Sequence, residues 1–269
     1  MTKILALGDI MGKAGRRCLD QLLGPLCQRF QPDIVMVNGE NSAGGFGITL
    51  KIYDQLTQNF GIHCITMGNH WADKREIIPH LPRLHKMTLP ANMSNVTDEK
   101  FGLKILTSAS GKPFAVINLI GLAFMHGDNR PLFPTVERLL QEIPSSVKVR
   151  IVDIHAEATS EKQALAWHLA GKVSLVYGTH SHVPTADERI LAGHTGFVTD
   201  IGMTGSYDSV IGIRTEAAIH RLRTGQKHKF EPATENPWLM AIVADIDDDT
   251  GRCLGIERVR QSVTQTEKD

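Results

Sequence analysis

The chain has 269 residues, with 29 basic and 29 acidic side chains and a formal net charge of zero. Apolar residues make up 42% of it, which is ample for a buried core and excludes disorder as the main state. The balanced charge excludes a protein that coats nucleic acid by bulk electrostatics, though not one that takes a small phosphorylated ligand. The four cysteines, Cys18, Cys27, Cys64 and Cys253, form no CxxC pair and read as free thiols in a reducing compartment, with Cys64 in the core. The N-terminal run Ile4 to Leu7 is too short for a signal-peptide core. The most apolar window, Phe114 to Met125, is too short to span a bilayer. A soluble cytoplasmic protein is predicted.

Short β-branched runs recur along the chain and end in polar clusters. Ile4–Leu7 leads into Gly8-Asp9, and Ile34–Val37 into Asn38-Gly39-Glu40-Asn41. His63–Met67 leads into Gly68-Asn69-His70, Val149–Val152 into Asp153-Ile154-His155, and Val173–Tyr177 into Gly178-Thr179-His180-Ser181-His182. Runs without polar alternation suit strands buried on both faces. Helical spacing predicts helices over Ala14 to Phe30, with Pro25 as a kink or break, and over Thr49 to Asn59, Thr135 to Glu142 and Ser160 to Ala170. Thr159 or Ser160 is the expected cap of the last. Phe101–Leu106, Phe114–Leu119, Gly196–Ile201 and Leu239–Ile246 read as further strands, several of them antiparallel, and Asp-Thr-Gly after Asp248 reads as a hairpin turn. No helix of useful length is expected beyond Ala170, so the second half reads as β-rich. Strand–helix alternation predicts a largely parallel α/β core, and with neither repeat nor linker in view, residues 1–269 read as one domain.

Ligands of open α/β sheets collect beyond the carboxyl ends of the strands. Those ends carry Asp9, Glu40, Asn41, Asn69, His70, His155, His180 and His182. Each has a plainer reading by itself. Asp9 would cap a helix, Asn41 or Asn69-His70 would form a turn, and His155 would be a satisfied buried histidine. His180 and His182 make the stronger pair, because alternate residues of an extended segment point the same way. Together they supply carboxylates, amides and imidazoles without a thiolate, a mixture that suits first-row ions. The number of ligands exceeds the needs of one ion and fits two sharing a bridging carboxylate, an arrangement that clamps in-line displacement at phosphorus.

These blocks resemble the calcineurin-like metallophosphoesterase superfamily, and more narrowly its YmdB-like branch. The narrower match rests on Gly8 to Arg16, Asn38 to Gly45, Thr66 to His70, Asp153 to Lys162 and Thr199 to Gly205. The resemblance implies a four-layer α/β/β/α sandwich and a dinuclear centre of divalent or mixed-valence ions, iron or manganese ahead of zinc. It implies one ion on Asp9, Glu40, Asn41 and His182. The other would share Glu40 and take Asn69, His155 and His180. It also implies a phosphodiesterase acting on small cyclic nucleotides, 2′,3′-cyclic ones first. A metal-bridging hydroxide would attack, and His70 would donate the proton to the leaving ribose oxygen. The implied partner is a small phosphorylated nucleotide, not a membrane or bulk nucleic acid, and a homo-oligomer is left open. The alternatives are a broad phosphomonoesterase or nuclease on the same centre, or a regulatory scaffold that keeps the metals. One departure is Met11, where the wider superfamily has a histidine, and Asn41 is the residue available to fill that place.

Weaker signals lie around this set. Gly44-Gly45-Phe46-Gly47 lacks the ending of a P-loop and reads as a loop that lets Glu40 and Asn41 reach the rim. Lys13, Arg16 and Arg17 read as a solvated helix face, with phosphate contact as the alternative. His126 and His194 are outlying candidates for the rim, and the other histidines, His228 among them, show no ligand pairing.

Overall fold

Strand β1 (Thr2–Leu7) sends Ile4 and Ala6 to one core and Leu5 and Leu7 to another. That alternation is the geometry of a strand between two apolar layers. The computed structural model describes residues 1–96, 98–226 and 229–263, so His228 and residues 264–269 lie outside it. After β1 come β2 (Asp9–Ile10), α1 (Gly12–Cys18) and α2 (Gly24–Phe30), the helices joined by a π-helical turn at Leu19–Leu23. Pro25 lies in the first turn of α2. It has no N–H to give the carbonyl four residues back, and the wider turn accommodates its ring, so the expected break appears just before it. Next are β3 (Ile34–Asn38), α3 (Leu50–Asp54), which Thr49 caps at the Ile52 amide, and β4 (Cys64–Thr66).

β1, β3 and β4 run parallel, and β12 (Pro237–Ile246) closes antiparallel on β1. The second sheet comprises β5 (Leu103–Thr107), β6 (Pro113–Ile120), β7 (Val149–His155), β8 (Leu175–Thr179), β9 (Arg189–Leu191) and β10 (Thr195–Val198), in the order β5-β6-β7-β8-β10-β9. β6, β7, β8 and β10 are parallel, and β5 and β9 form antiparallel edges. β11 (Met203–Ser206) pairs with β2 and β12, and β13 (Cys253–Ser262) with β12 through the expected hairpin.

The two sheets face each other across Ile4, Met36, Cys64, Val116, Ile151 and Tyr177. The outer face of the first sheet is covered by α2 and α3 through Leu26 and Ile52, and by the π-helical turns at Leu19–Leu23 and Gln55–Asn59 through Leu19 and Leu56. The outer face of the second is covered by α4 (Leu132–Glu142) and α5 (Thr159–Leu169) through Val136, Leu139, Leu165 and Leu169. The layers are therefore α/β/β/α, as the resemblance implies. Each fully buried leucine or isoleucine of these layers contributes about 1.5–3 kcal/mol.

Two expectations are corrected. A helix does follow Ala170: α6 (Thr215–Thr224), which ends at Gly225 with φ 69°. Its buried face is only Ala217 and Ala218, while Ile219 and Leu222 are exposed, so it has no strong apolar period to read. The cap of α5 is Ala158, with no side-chain bond, rather than Thr159 or Ser160. Among the described residues no helix is long and apolar enough to cross a membrane.

Candidate metal centre

The parallel strands of both sheets end at one rim. Asp9 follows β1, Glu40 and Asn41 follow β3, Asn69 and His70 follow β4, His155 ends β7, and His180 and His182 follow β8. Local bonds turn the chain after each strand. Asn38 Oδ1 accepts the Glu40 amide at 3.0 Å, and Asp9 Oδ2 accepts the His180 amide at 3.2 Å. The glycine loop behind Glu40 has positive φ at Gly44, Gly45 and Gly47, and Arg16 donates to the Ser42 carbonyl within it. Arg16 thus ties down the loop instead of lying on a solvated face, while Lys13 and Arg17 are exposed as expected.

His180 and His182 meet the rim by a route the sequence did not show. They are not alternate residues of an extended strand: β8 stops at Thr179, and both histidines have left-handed backbone, φ 95° and 65°. Non-glycine residues adopt that region at a cost and persist there when their surroundings hold them. The Asp9 carboxylate holds His180, and Asp200 Oδ2 accepts the Ser181 amide at 3.1 Å. His182 Nδ1 donates to the Ile211 carbonyl at 2.8 Å.

Each imidazole is fixed with one nitrogen turned inward. His182 gives Nδ1–H to that carbonyl and keeps the Nε2 lone pair. His180 Nε2 faces Glu157 Oε2 at 3.1 Å, which leaves Nδ1 free. His155 Nδ1 faces Thr179 Oγ1 at 2.9 Å, and Thr179 donates onward to Asp153 Oδ1 at 2.7 Å. Such outer partners set the tautomer of metal-binding histidines. His155 Nε2 then meets Glu40 Oε1 at 3.1 Å, Asn69 Oδ1 at 3.2 Å and His180 Nδ1 at 3.0 Å. Donor atoms of Glu40, His155 and His180 lie within 4.8 Å of one another.

A second group adjoins the first. Asp9 Oδ1 is 3.9 Å from His182 Nε2, and Asn41 Nδ2 lies 3.0 Å from the same nitrogen and 3.2 Å from Glu40 Oε1. A half-turn of the Asn41 amide would put its oxygen there instead. Glu40 is thus the carboxylate common to both groups, and its Oε2 also accepts the His70 amide at 3.2 Å.

The electrostatics call for cations. Three electron-pair-bearing atoms surround His155 Nε2, and Asp9 Oδ1 is buried with no hydrogen-bond partner among the described residues. Burial opposes charge on His155, yet the Glu40 carboxylate carries it up to about 9. Burial likewise opposes ionisation of Glu40, and the same pairing with His155 holds it down at about 2. Burial pushes Asp9 up to about 6, against the pull of His182 and His155. Burial and the charge on His155 push His180 down to about 3. Without ions the Asp9 oxygen is unpaired and His155 must carry a proton among Glu40, Asn69 and His180; first-row ions suit this donor set. Gly68 lets the chain pass close to this set, since a Cβ there would collide with Glu40 Oε2 and His155 Nε2.

His70 stands beside these groups, on the wall of a cleft of about 570 Å3 shared with Glu40, Asn41, His180 and His182. Its Nδ1 is 2.8 Å from Asp73 Oδ2, and Phe46 meets its ring edge-on at 5.0 Å. Met11 is 2% exposed and packs with Met203 and Ile213, so it serves as core at the foot of the cleft. Neither His126 nor His194 lines that cleft: His126 is exposed in the loop after β6, and His194 sits in the β9–β10 turn. The residues that sequence reasoning missed are those behind the rim: Asp73, Asp153, Glu157, Thr179 and Asp200. The stretches Asp153 to Lys162 and Thr199 to Gly205 marked several of them without a role.

A two-sheet sandwich with such a rim is the architecture of calcineurin-like metallophosphoesterases. The structure of the calcineurin-like phosphoesterase YfkN from Bacillus subtilis superposes with a TM-score of 0.56, covering 97% of this chain and 90% of that one, at 13% identity, a likeness of fold alone. A phosphatase structure from Mycoplasma pneumoniae superposes with a TM-score of 0.90 at 30% identity, covering 97% of this chain and 93% of that one. The sequence model of the family described as "YmdB-like protein" matches residues 5–259. A 2′,3′-cyclic-nucleotide 2′-phosphodiesterase of Bacillus subtilis (strain 168) is 41% identical over 257 residues, 96% of each chain. The chain belongs to the YmdB-like family of metallophosphoesterases.

Proposed function

We propose that this protein is a dimetal phosphodiesterase that opens 2′,3′-cyclic nucleotides. The observation that carries the reading is the pairing, in one cleft, of the cation-demanding cluster around His155 Nε2 with His70 backed by Asp73. The name of the Bacillus subtilis relative supplies the substrate class. Asp9, Glu40, Asn41 and His182 would hold one ion, and Glu40, Asn69, His155 and His180 the other. Such ions, when bound, neutralise phosphate charge and make water a nucleophile near neutral pH.

The chain's own groups do the rest. Glu157 and Ile211 fix the His180 and His182 tautomers, so the inward nitrogens keep their lone pairs. Asp73 accepts from His70 Nδ1–H, which leaves Nε2 as the free ring nitrogen. The carboxylate orients the ring, and an imidazolium so placed can give its Nε2 proton to an alkoxide. In the proposed reaction a water oxygen bonds to phosphorus and gives up a proton to solvent as the P–O2′ bond breaks, O2′ takes the His70 proton, and the 3′-phosphate remains.

Initial rates of the metal-loaded protein on 2′,3′-cyclic AMP, 3′,5′-cyclic AMP, a generic diester and a generic monoester test this. The expected result is a clear preference for the 2′,3′-cyclic ester. A monoester preference would replace the reading with a phosphatase. Silence on all four, with metal bound, would favour a regulatory scaffold.

A further inference from the structure

The cleft has two unlike ends. Its floor carries the histidines and carboxylates described above, while its outer wall carries Ile211, Leu222, Phe230 and Arg221. Ile211 is 53% and Leu222 82% exposed, and both line this one cleft. The Arg221 guanidinium lies 4.5 Å from the Phe230 ring centroid, within cation–π range.

Ile211 links the two ends. Its φ is 46°, a region β-branched residues avoid. The turn that holds it there does two things. The Ile211 carbonyl accepts His182 Nδ1–H at 2.8 Å, and the Ile211 side chain is left facing the cleft. Gly212 follows with φ 93°, packed so closely that a Cβ would meet Met11 and Met203. One strained turn therefore sets both a rim histidine and the apolar wall.

We propose that Ile211, Leu222, Phe230 and Arg221 form the subsite for the nucleobase of the substrate, an inference that rests on the phosphodiesterase reading above. A cyclic nucleotide has the same division: an anionic phosphate at one end and a flat, weakly polar ring at the other. Apolar side chains and an Arg–aromatic pair bind such a ring by stacking, which every base supports. Among the described residues of this wall the polar group is Arg221, and stacking on it and on Phe230 does not read the hydrogen-bonding edges of the bases. The subsite accepts all four and favours the larger purines.

The test compares kcat/KM for the four 2′,3′-cyclic nucleotides with that for methyl ribofuranoside 2′,3′-cyclic phosphate, which has no base. In the wild type the nucleotides should exceed the base-free ester by about tenfold or more, with purines ahead of pyrimidines. Leu222→Ser and Arg221→Gln alter exposed residues, so folding is not at issue, and Phe230→Ala removes the ring. Each should lower the ratio of nucleotide to base-free ester several-fold, chiefly through KM. Adenosine 3′-monophosphate should lose affinity in parallel by titration calorimetry, relative to inorganic phosphate. Wild-type protein that turns over both esters equally, or variants that leave the ratio unchanged, would overturn the subsite alone. A hundredfold preference for one base would also overturn it. Wild-type protein inert on both esters would overturn the phosphodiesterase reading and the subsite with it.

Discussion

Lys162 and Asp200 form an ion pair in the interior, Nζ to Oδ2 at 2.7 Å, with both side chains 1% exposed. The pair joins α5 to the turn after β10. The same Asp200 oxygen accepts the Ser181 amide at 3.1 Å, and its Oδ1 accepts the Gly202 amide at 2.7 Å. The loop bearing His180 and His182 is thus pinned by a charge that Lys162 balances. Removing one member of a buried pair strands the other charge, at about 3–5 kcal/mol. Lys162→Met should lower unfolding free energy by that order in urea titrations. Asp200→Ala should also cut metal content, because it releases the Ser181 amide between the two histidines. A Lys162→Met protein as stable as wild type would refute the pinning role.

Gly68 is a tight point of the rim. Its missing side chain is what allows Glu40 Oε2 and His155 Nε2 to approach the β4 turn. Gly68→Ala should fold, since the clash concerns two side chains, but bind less than one metal ion per expected site when measured by elemental analysis. Full metal content would show that these side chains can yield without cost to the centre.

His70 and Asp73 separate proton transfer from metal binding. His70→Ala should reduce kcat on a 2′,3′-cyclic ester about 100- to 10,000-fold, the range of general acid catalysis, with metal content retained. Asp73→Asn keeps the size of the partner but removes its charge. It should give an intermediate loss of kcat with metal content retained, because the partner that orients the His70 ring through Nδ1 is weakened. An unchanged His70→Ala rate would remove His70 from the chemistry.

The acid stability of the fold has a readable source away from the site in Asp248. Burial disfavours the Asp248 carboxylate, but the Lys112 ammonium, the terminal ammonium and the Thr2 hydroxyl, the last at 2.6 Å, hold its pKa below the usual carboxylate range. A depressed folded-state pKa stabilises the protein fully above the unfolded value, near 3.8, and the contribution is lost as pH falls below it. Melting temperature should therefore drop as pH falls below about 4, and Asp248→Asn should flatten part of that drop while lowering the plateau at pH 7. A parallel pH profile for wild type and variant would rule the pair out as a contributor.

The strands were legible because their signal is local. Ile34–Val37 or Val149–Val152 is β-branched, apolar and followed by polar residues, and the neighbours in sequence carry all of that. The rim residues were legible for the same reason, each block closing a strand. α6 was not, because only Ala217 and Ala218 face the core, and two small residues leave no periodic mark. The Ala158 cap was not, because Thr159 and Ser160 have the right chemistry one position too late.

By itself, then, the sequence determined the α/β alternation, the set of rim residues and the family to which they point, since these follow from short-range pattern and from motif. Which faces of the two sheets meet was decided only in three dimensions. So were the left-handed backbone of His180 and His182, the pinning of their loop by Lys162 through Asp200, and the turn that makes Ile211 serve the rim and the wall together. Those features depend on partners tens of residues or more apart, as with Asp9 and the His180 amide. No local period encodes such a contact, because it exists only once the strands have found their order and register.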